Sequence, residues 1–150
     1  MAERRPAPEM EKGEKLLREI ASDRSTYWRD HGVMAALGMA VVGGVLWAIG
    51  NPHVAIGALG APLAIGARAL YLASEQFSNR WWLTDRRLIL PDGRRQVMLL
   101  EVEMVRRLFG DVQLVTRSGD KHLIKHVADA PALAIEIERA RQQRAQRRKG

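Results

Sequence analysis

The chain contains no cysteine in its 150 residues, which removes a disulfide framework, a thiolate metal site and a cysteine nucleophile, and fits a reducing compartment. Aromatic residues are sparse at 5%, and none is interleaved among the arginine clusters, so the stacking platform that single-stranded nucleic acid needs is missing. No glycine-rich phosphate cradle and no nucleophile elbow occurs anywhere in the sequence. The last absence is local: between Gly32 and Ala67 there is no Lys, Arg, Asp or Glu.

The charge is concentrated in the flanks. Residues 1–31 balance seven basic against seven acidic side chains, residues 73–150 hold sixteen basic against ten acidic, and Arg68 completes the net charge of +7. The positive field therefore belongs to the C-terminal half. Anionic lipid headgroups, an acidic protein surface or nucleic acid would suit it, and nucleic acid is the least favoured because of the missing aromatics.

The uncharged stretch divides into two runs. Residues 32–50 would reach about 28 Å as a helix, close to a hydrocarbon core of roughly 30 Å. Asn51-Pro52-His53 is a turn, because proline disfavours helix in the residue before it. Residues 54–72 form the second run, rich in Ala and Gly, with Pro62 inside and Arg68 about one turn from its end. The two runs are expected to form a transmembrane hairpin over residues 32–73, in preference to a buried helical hairpin or a re-entrant second segment, because so short a chain has little material to bury them. Tyr27, Trp28, Trp47, Arg68 and Tyr71 are the expected interface anchors. Small residues spaced by about four, Ala36, Ala40 and Gly44 on the first run and Gly57, Ala61 and Ala64 on the second, are expected to pack the helices together or into a larger membrane complex. The turn has no Lys or Arg while both outer flanks do, so the positive-inside rule places both termini in the cytoplasm.

Residues 1–31 read as a cytoplasmic N-terminal segment. A disordered lead of about seven residues gives way to an amphipathic helix from Pro8 with Leu16, Leu17, Ile20 and Ala21 on one side, lying on the membrane surface or on the folded domain. After the second run the period changes to that of strands. Residues 81–83 and 88–90 flank the turn Thr84-Asp85-Arg86-Arg87, and Pro91-Asp92-Gly93 makes another turn. Met98, Leu100, Val102 and Met104 alternate with Leu99, Glu101 and Glu103, as a half-buried strand does. Residues 112–116 and 121–124 form a hairpin. Asp129 is a suitable N-cap, with Pro131 in the first turn, for a helix whose apolar face is Ala130, Leu133, Ala134 and Ile137. Residues 77–142 thus form a strand meander with a covering helix, and residues 143–150 a fraying basic tail.

Gly13-Glu14 with Leu16 and Leu17, two apolar runs, Leu83-Thr84-Asp85-Arg86-Arg87-Leu88-Ile89 and Val115-Thr116-Arg117-Ser118-Gly119 together resemble the bacterial membrane proteins with a pleckstrin-homology-like domain. That resemblance implies an α+β membrane protein: a two-helix transmembrane hairpin followed by a small antiparallel β-barrel or meander with a C-terminal helix. It also implies an inner-membrane scaffold without enzymatic activity or cofactor. At about seventy residues the soluble part is short for such a domain, so a missing strand and a partly open barrel are expected.

His122 and His126 have a metal-ligand spacing only on a helix; on a strand they stand about 13 Å apart and cannot share an ion. Glu101 and Glu103 share a strand face in this reading, with no His, Ser or glycine loop to complete a catalytic site. Arg86 and Arg87 in one turn and Arg94 and Arg95 after the next are expected to present four guanidinium groups together to anionic lipid or a protein partner. The expected function is an accessory or assembly subunit of a membrane complex or a homo-oligomer. The alternatives are a peripheral anionic-lipid-binding module and, more distantly, an enzyme or transporter component using Arg68 and the Glu pair.

Overall fold

A computed structural model describes residues 7–150; the expected disordered lead lies almost wholly outside the described residues. The chain forms two compact units: residues 24–76, and the segment ending at Asp23 together with Phe77–Gly150. The second of these is assembled from both sides of the first.

Its first strand corrects the expected amphipathic helix. The segment is β1, Leu16–Ala21, and its partner explains why. The chain continues through α1 (Arg24–Ala48) and α2 (Val54–Ser78) to β2 (Arg80–Thr84), and β1 pairs antiparallel with β2, Ile20 opposite Trp81 and Ala21 opposite Arg80. A weak local helical pattern gives way to a ladder whose partner lies some sixty residues downstream. β1 thereby joins the strands of the C-terminal half as the outer strand of their four-stranded sheet.

β3 (Arg87–Ile89) and β4 (Gln96–Met98) complete an antiparallel sheet in the order β1-β2-β3-β4. A short 3-10 turn at Leu99–Glu101 leads into β5 (Val102–Leu108), followed by β6 (Asp111–Thr116) and β7 (Lys121–Ile124), a second sheet in the order β5-β6-β7. Among the described residues the sheets do not join into a closed barrel. The continuous strand expected through residues 98–104 is broken at the 3-10 turn, which rotates Leu99 and Val102 inward while Met98 and Met104 stay exposed.

Ile20, Leu83, Leu88, Val97, Leu99, Val102, Val112, Leu114 and Ile124 form the core. Helix α3 (Ala130–Lys149) covers it with Ala130, Leu133, Ile137 and Ala140, the expected face extended by one turn. Asp129 caps α3 by accepting the Ala132 N–H at 2.9 Å. The helix runs to Lys149, where a fraying tail was expected. Arg141 holds its middle, donating to the Val102 and Glu103 carbonyls at 2.9 Å each, and Arg147 reaches the Asp85 carboxylate at 3.3 Å.

In the other unit, α1 and α2 are each 25 residues long and apolar enough to cross a membrane. α1 begins eight residues before the expected run and ends two short of it, and α2 runs six residues beyond its own, so Tyr27 and Trp28 lie inside α1. Gly50, at φ 69, closes α1: its N–H reaches the Trp47 carbonyl at 3.0 Å and the Asn51 N–H the Leu46 carbonyl at 2.9 Å, the paired bonds of a Schellman motif. Asn51 Oδ1 accepts the His53 N–H at 2.8 Å and sets the turn into α2.

Candidate functional site

The Leu-Thr-Asp-Arg-Arg stretch is where the sequence concentrates its chemistry, and the structure gives most of that chemistry an internal use. Gly13, at φ 80, turns the chain before β1, a conformation that glycine adopts without penalty. The turn delivers Glu14 to Arg87. The Arg87 Nε donates to Glu14 Oε1 at 2.9 Å and its Nη2 to Oε2 at 2.8 Å, a bidentate pair; the remaining Nη1 donates to Gln96 Oε1. The Glu14 side chain is 0% exposed and that of Arg87 10%.

The surrounding groups complete the cluster. The Glu11 N–H donates to Glu14 Oε2 at 2.8 Å, and Thr84 Oγ1 accepts the Arg87 N–H at 2.9 Å while donating to the Arg87 carbonyl. Arg86 donates to Glu11 Oε2 at 3.2 Å and to the Lys12 carbonyl at 3.3 Å. Asp85 accepts the Lys15 N–H at 2.9 Å, and its own N–H donates to the Lys15 carbonyl at 3.0 Å. Burial of Glu14 opposes its ionisation, but the Arg87 hydrogen bonds, the Glu11 N–H and the Arg87 charge outweigh it and hold its pKa at about 2. The Glu14 hydrogen bonds likewise raise Arg87 above its ordinary value, against the opposing effect of burial.

This arrangement corrects the expected arginine patch. Arg87 is buried in an ion pair, and Arg86 is engaged with residues 11 and 12. Arg94 and Arg95 cannot join them, because successive turns of a meander leave the sheet at opposite ends. The turn at Asp85-Arg86 lies beside Lys15, at the Leu16 end of β1; the turn at residues 91–95 follows Ile89, which pairs with Trp82 toward the Arg80 end. At that second turn both arginines are exposed. The Asp92 carboxylate accepts Arg95 Nε at 2.6 Å and the Arg94 and Arg95 N–H groups at 3.0 and 2.9 Å. The Arg95 hydrogen bonds lower the Asp92 pKa to about 2.

The helical residues divide similarly. A Cβ built on Gly38 would lie 3.6 Å from the Ala61 Cβ and 3.2 Å from Ile65 Cδ1; one on Gly43 would lie 3.2 Å from the Ala58 Cβ; one on Gly57 would meet Leu46 Cδ1 at 2.1 Å. The helix seam therefore runs through Gly38, Val42, Gly43 and Leu46 against Gly57, Ala58, Ala61 and Ile65. Gly57 and Ala61 were expected there. Ala36, Ala40, Gly44 and Ala64 are exposed and off the seam, because a strict four-residue step drifts around a helix of 3.6 residues per turn.

Tyr27 is buried rather than an interface anchor, donating its hydroxyl to the Ala69 carbonyl at 2.7 Å across the two helices. Its ring meets Trp28 edge-on at 5.3 Å between centroids, and the Tyr27 carbonyl lies 2.8 Å from His31 Nδ1. Trp28, Trp47, Arg68 and Tyr71 point outward and are exposed.

His122 lies in β7 and His126 beyond its end, with its N–H on Asp111 Oδ1 at 2.8 Å. Glu101 belongs to the 3-10 turn and Glu103 to β5, so the expected common strand face does not form. An open cleft of about 710 Å³ runs between β5 and α3, lined by Glu103, Met104, Val105, Ala134, Ile135 and Arg139 among others. β5 is an edge strand of its sheet there. No protein-family model, no curated protein and no solved structure matches the chain.

Proposed function

We propose that the chain is a non-enzymatic inner-membrane scaffold of the pleckstrin-homology-like type. α1 and α2 cross the bilayer as a hairpin, both termini are cytoplasmic, and the β-rich unit contacts a membrane-protein partner. The observation that carries this reading is the outward direction of the large apolar side chains: Val33, Leu37, Val41, Val45, Ile56, Leu59, Leu63 and Leu70 are all more than half exposed. A helical hairpin in the core of a water-soluble protein would hide these residues. In a bilayer they face lipid, and 25 residues reach about 37 Å, enough for roughly 30 Å of hydrocarbon with some tilt.

The uncharged turn between the helices, against Arg24 and Arg29 at one outer flank and Arg80 at the other, favours cytoplasmic termini. The edge position of β5, which has no second partner strand among the described residues, beside the open cleft, favours contact with a protein. A second reading, contact with anionic lipid, is favoured by Arg94, Arg95 and Lys125, exposed at the end of the β-rich unit where β1 finishes.

Alkaline carbonate extraction tests the anchor. The chain is expected to stay in the membrane pellet and to leave it only with detergent. Release into the carbonate supernatant as a folded monomer would overturn the reading.

A further inference from the structure

The hairpin between β5 and β6 ends in Phe109-Gly110. Phe109 is 104% exposed and sits at φ 52, a left-handed conformation uncommon for any residue with a bulky side chain. Asn or Gly would suit such a position, and among the described residues no packing compensates for a ring held entirely in the open. Leu108 beside it is also exposed, as are Arg106 and Arg107 in the strand leading to it.

Hydrogen bonds fix where this tip lies within its unit. Asp111 pairs with Leu108 and bridges to Phe109. The Asp111 carboxylate accepts the His126 N–H at 2.8 Å, and the His126 carbonyl accepts the Asp23 N–H at 2.7 Å. The neighbouring Ser22 hydroxyl donates to the Lys125 carbonyl at 3.3 Å. Asp23 directly precedes α1. The tip therefore stands at the end of the β-rich unit from which the chain passes into its apolar helices, with exposed Lys125 beside it.

We propose that Leu108-Phe109 is a membrane wedge. Its side chains enter the interfacial layer of the bilayer that α1 and α2 cross, while Arg106, Arg107 and Lys125 face anionic lipid headgroups. An aromatic side chain flanked by cations gains at this boundary both the removal of apolar surface from water and attraction to the lipid charge. The wedge gives the β-rich unit a third attachment besides its two chain connections, and so fixes its orientation on the membrane. The proposal rests on the membrane-spanning reading of the helices.

The absence of cysteine allows a test on the full chain in vesicles containing phosphatidylglycerol. A nitroxide is placed in turn at Phe109→Cys, Ser118→Cys and Leu37→Cys, and its collisions with oxygen and with a water-soluble nickel chelate are compared. Ser118 lies in the turn at the other end of β6, about 17 Å along the strand, and reports on water. Leu37 reports on the lipid interior. The expected result is a several-fold higher ratio of oxygen to nickel collisions at position 109 than at 118, with position 37 higher still. A label at 109 as open to nickel as that at 118, with 37 shielded, overturns the wedge and leaves the spanning helices intact. Nickel access at position 37 as well overturns both.

Discussion

Glu14 and Arg87 form a two-point ion pair, at 2.9 and 2.8 Å, across 73 positions of sequence that include both long helices. The pair fastens the segment before α1 to the strands after α2, so the β-rich unit closes only when the two ends of the chain meet. It is reinforced by the exchange between Lys15 and Asp85 and by Arg86 on Glu11. The unit's integrity and the hairpin's topology are therefore linked, because both ends must lie on one side of any membrane the helices cross.

Removing one member of this pair should damage the unit more than removing both. Arg87→Met leaves the Glu14 carboxylate buried and unpaired, and a loss of about 3–5 kcal/mol is expected. Glu14→Leu together with Arg87→Met removes both charges and should recover most of it. Denaturant unfolding in detergent, with hydrogen exchange of the β1 amides as the local readout, checks the order. Equal losses in the single and double variants would show that the pair is not the fastening.

Acid should loosen the same point. The Glu14 pKa is lowered from 4.5 to about 2 in the folded chain, so its contribution is complete above about pH 4.5 and disappears as pH falls through about 2. The shift corresponds to about 3 kcal/mol. Thermal unfolding between pH 6 and pH 2 should show this decline in the native chain and a flatter one in Glu14→Gln. Parallel profiles would place the acid sensitivity elsewhere.

The helix seam can be checked by cross-linking. A Cβ at position 38 would stand 3.6 Å from that of Ala61, within the range a disulfide spans. Gly38→Cys with Ala61→Cys should oxidise readily in a chain that has no other thiol. The pair Ala40→Cys with Ala64→Cys, on exposed positions, should not close within one chain. The reverse outcome would restore the four-residue stripe as the packing face.

Tyr27→Phe removes the hydroxyl that reaches the Ala69 carbonyl at 2.7 Å and keeps the ring. A loss of about 1 kcal/mol in the stability of the hairpin is expected, measured by unfolding in mixed micelles. Full retention of stability would assign Tyr27 a packing role alone.

The two long helices, the turn at Asn51-Pro52-His53 and the capped α3 were legible in the sequence, because each depends on local signals: absence of charge over a long run, a proline boundary, an N-cap. β1 was not, because Leu16, Leu17, Ile20 and Ala21 fit a helical stripe and only the distant edge of β2 turns them into a strand. Arg86 and Arg87 looked like a free cationic patch for the same reason. Their partners Glu11 and Glu14 lie across the helical insertion, and no spacing rule connects them. The splitting of the four arginines between opposite ends was within reach, since consecutive turns of a meander must alternate. Phe109 gave only the weak signal of an aromatic before Gly110, and its exposure and backbone conformation appear only in three dimensions.

The proposed topology is tested most directly by a membrane-impermeant maleimide applied to sealed vesicles of known orientation, with single cysteines at Asn51 in the inter-helix turn and at Ser118 in the β-rich unit. Labelling of Ser118→Cys only in inside-out vesicles and of Asn51→Cys only in right-side-out vesicles is the expected result. Labelling of both positions from the same side would contradict a membrane-crossing hairpin.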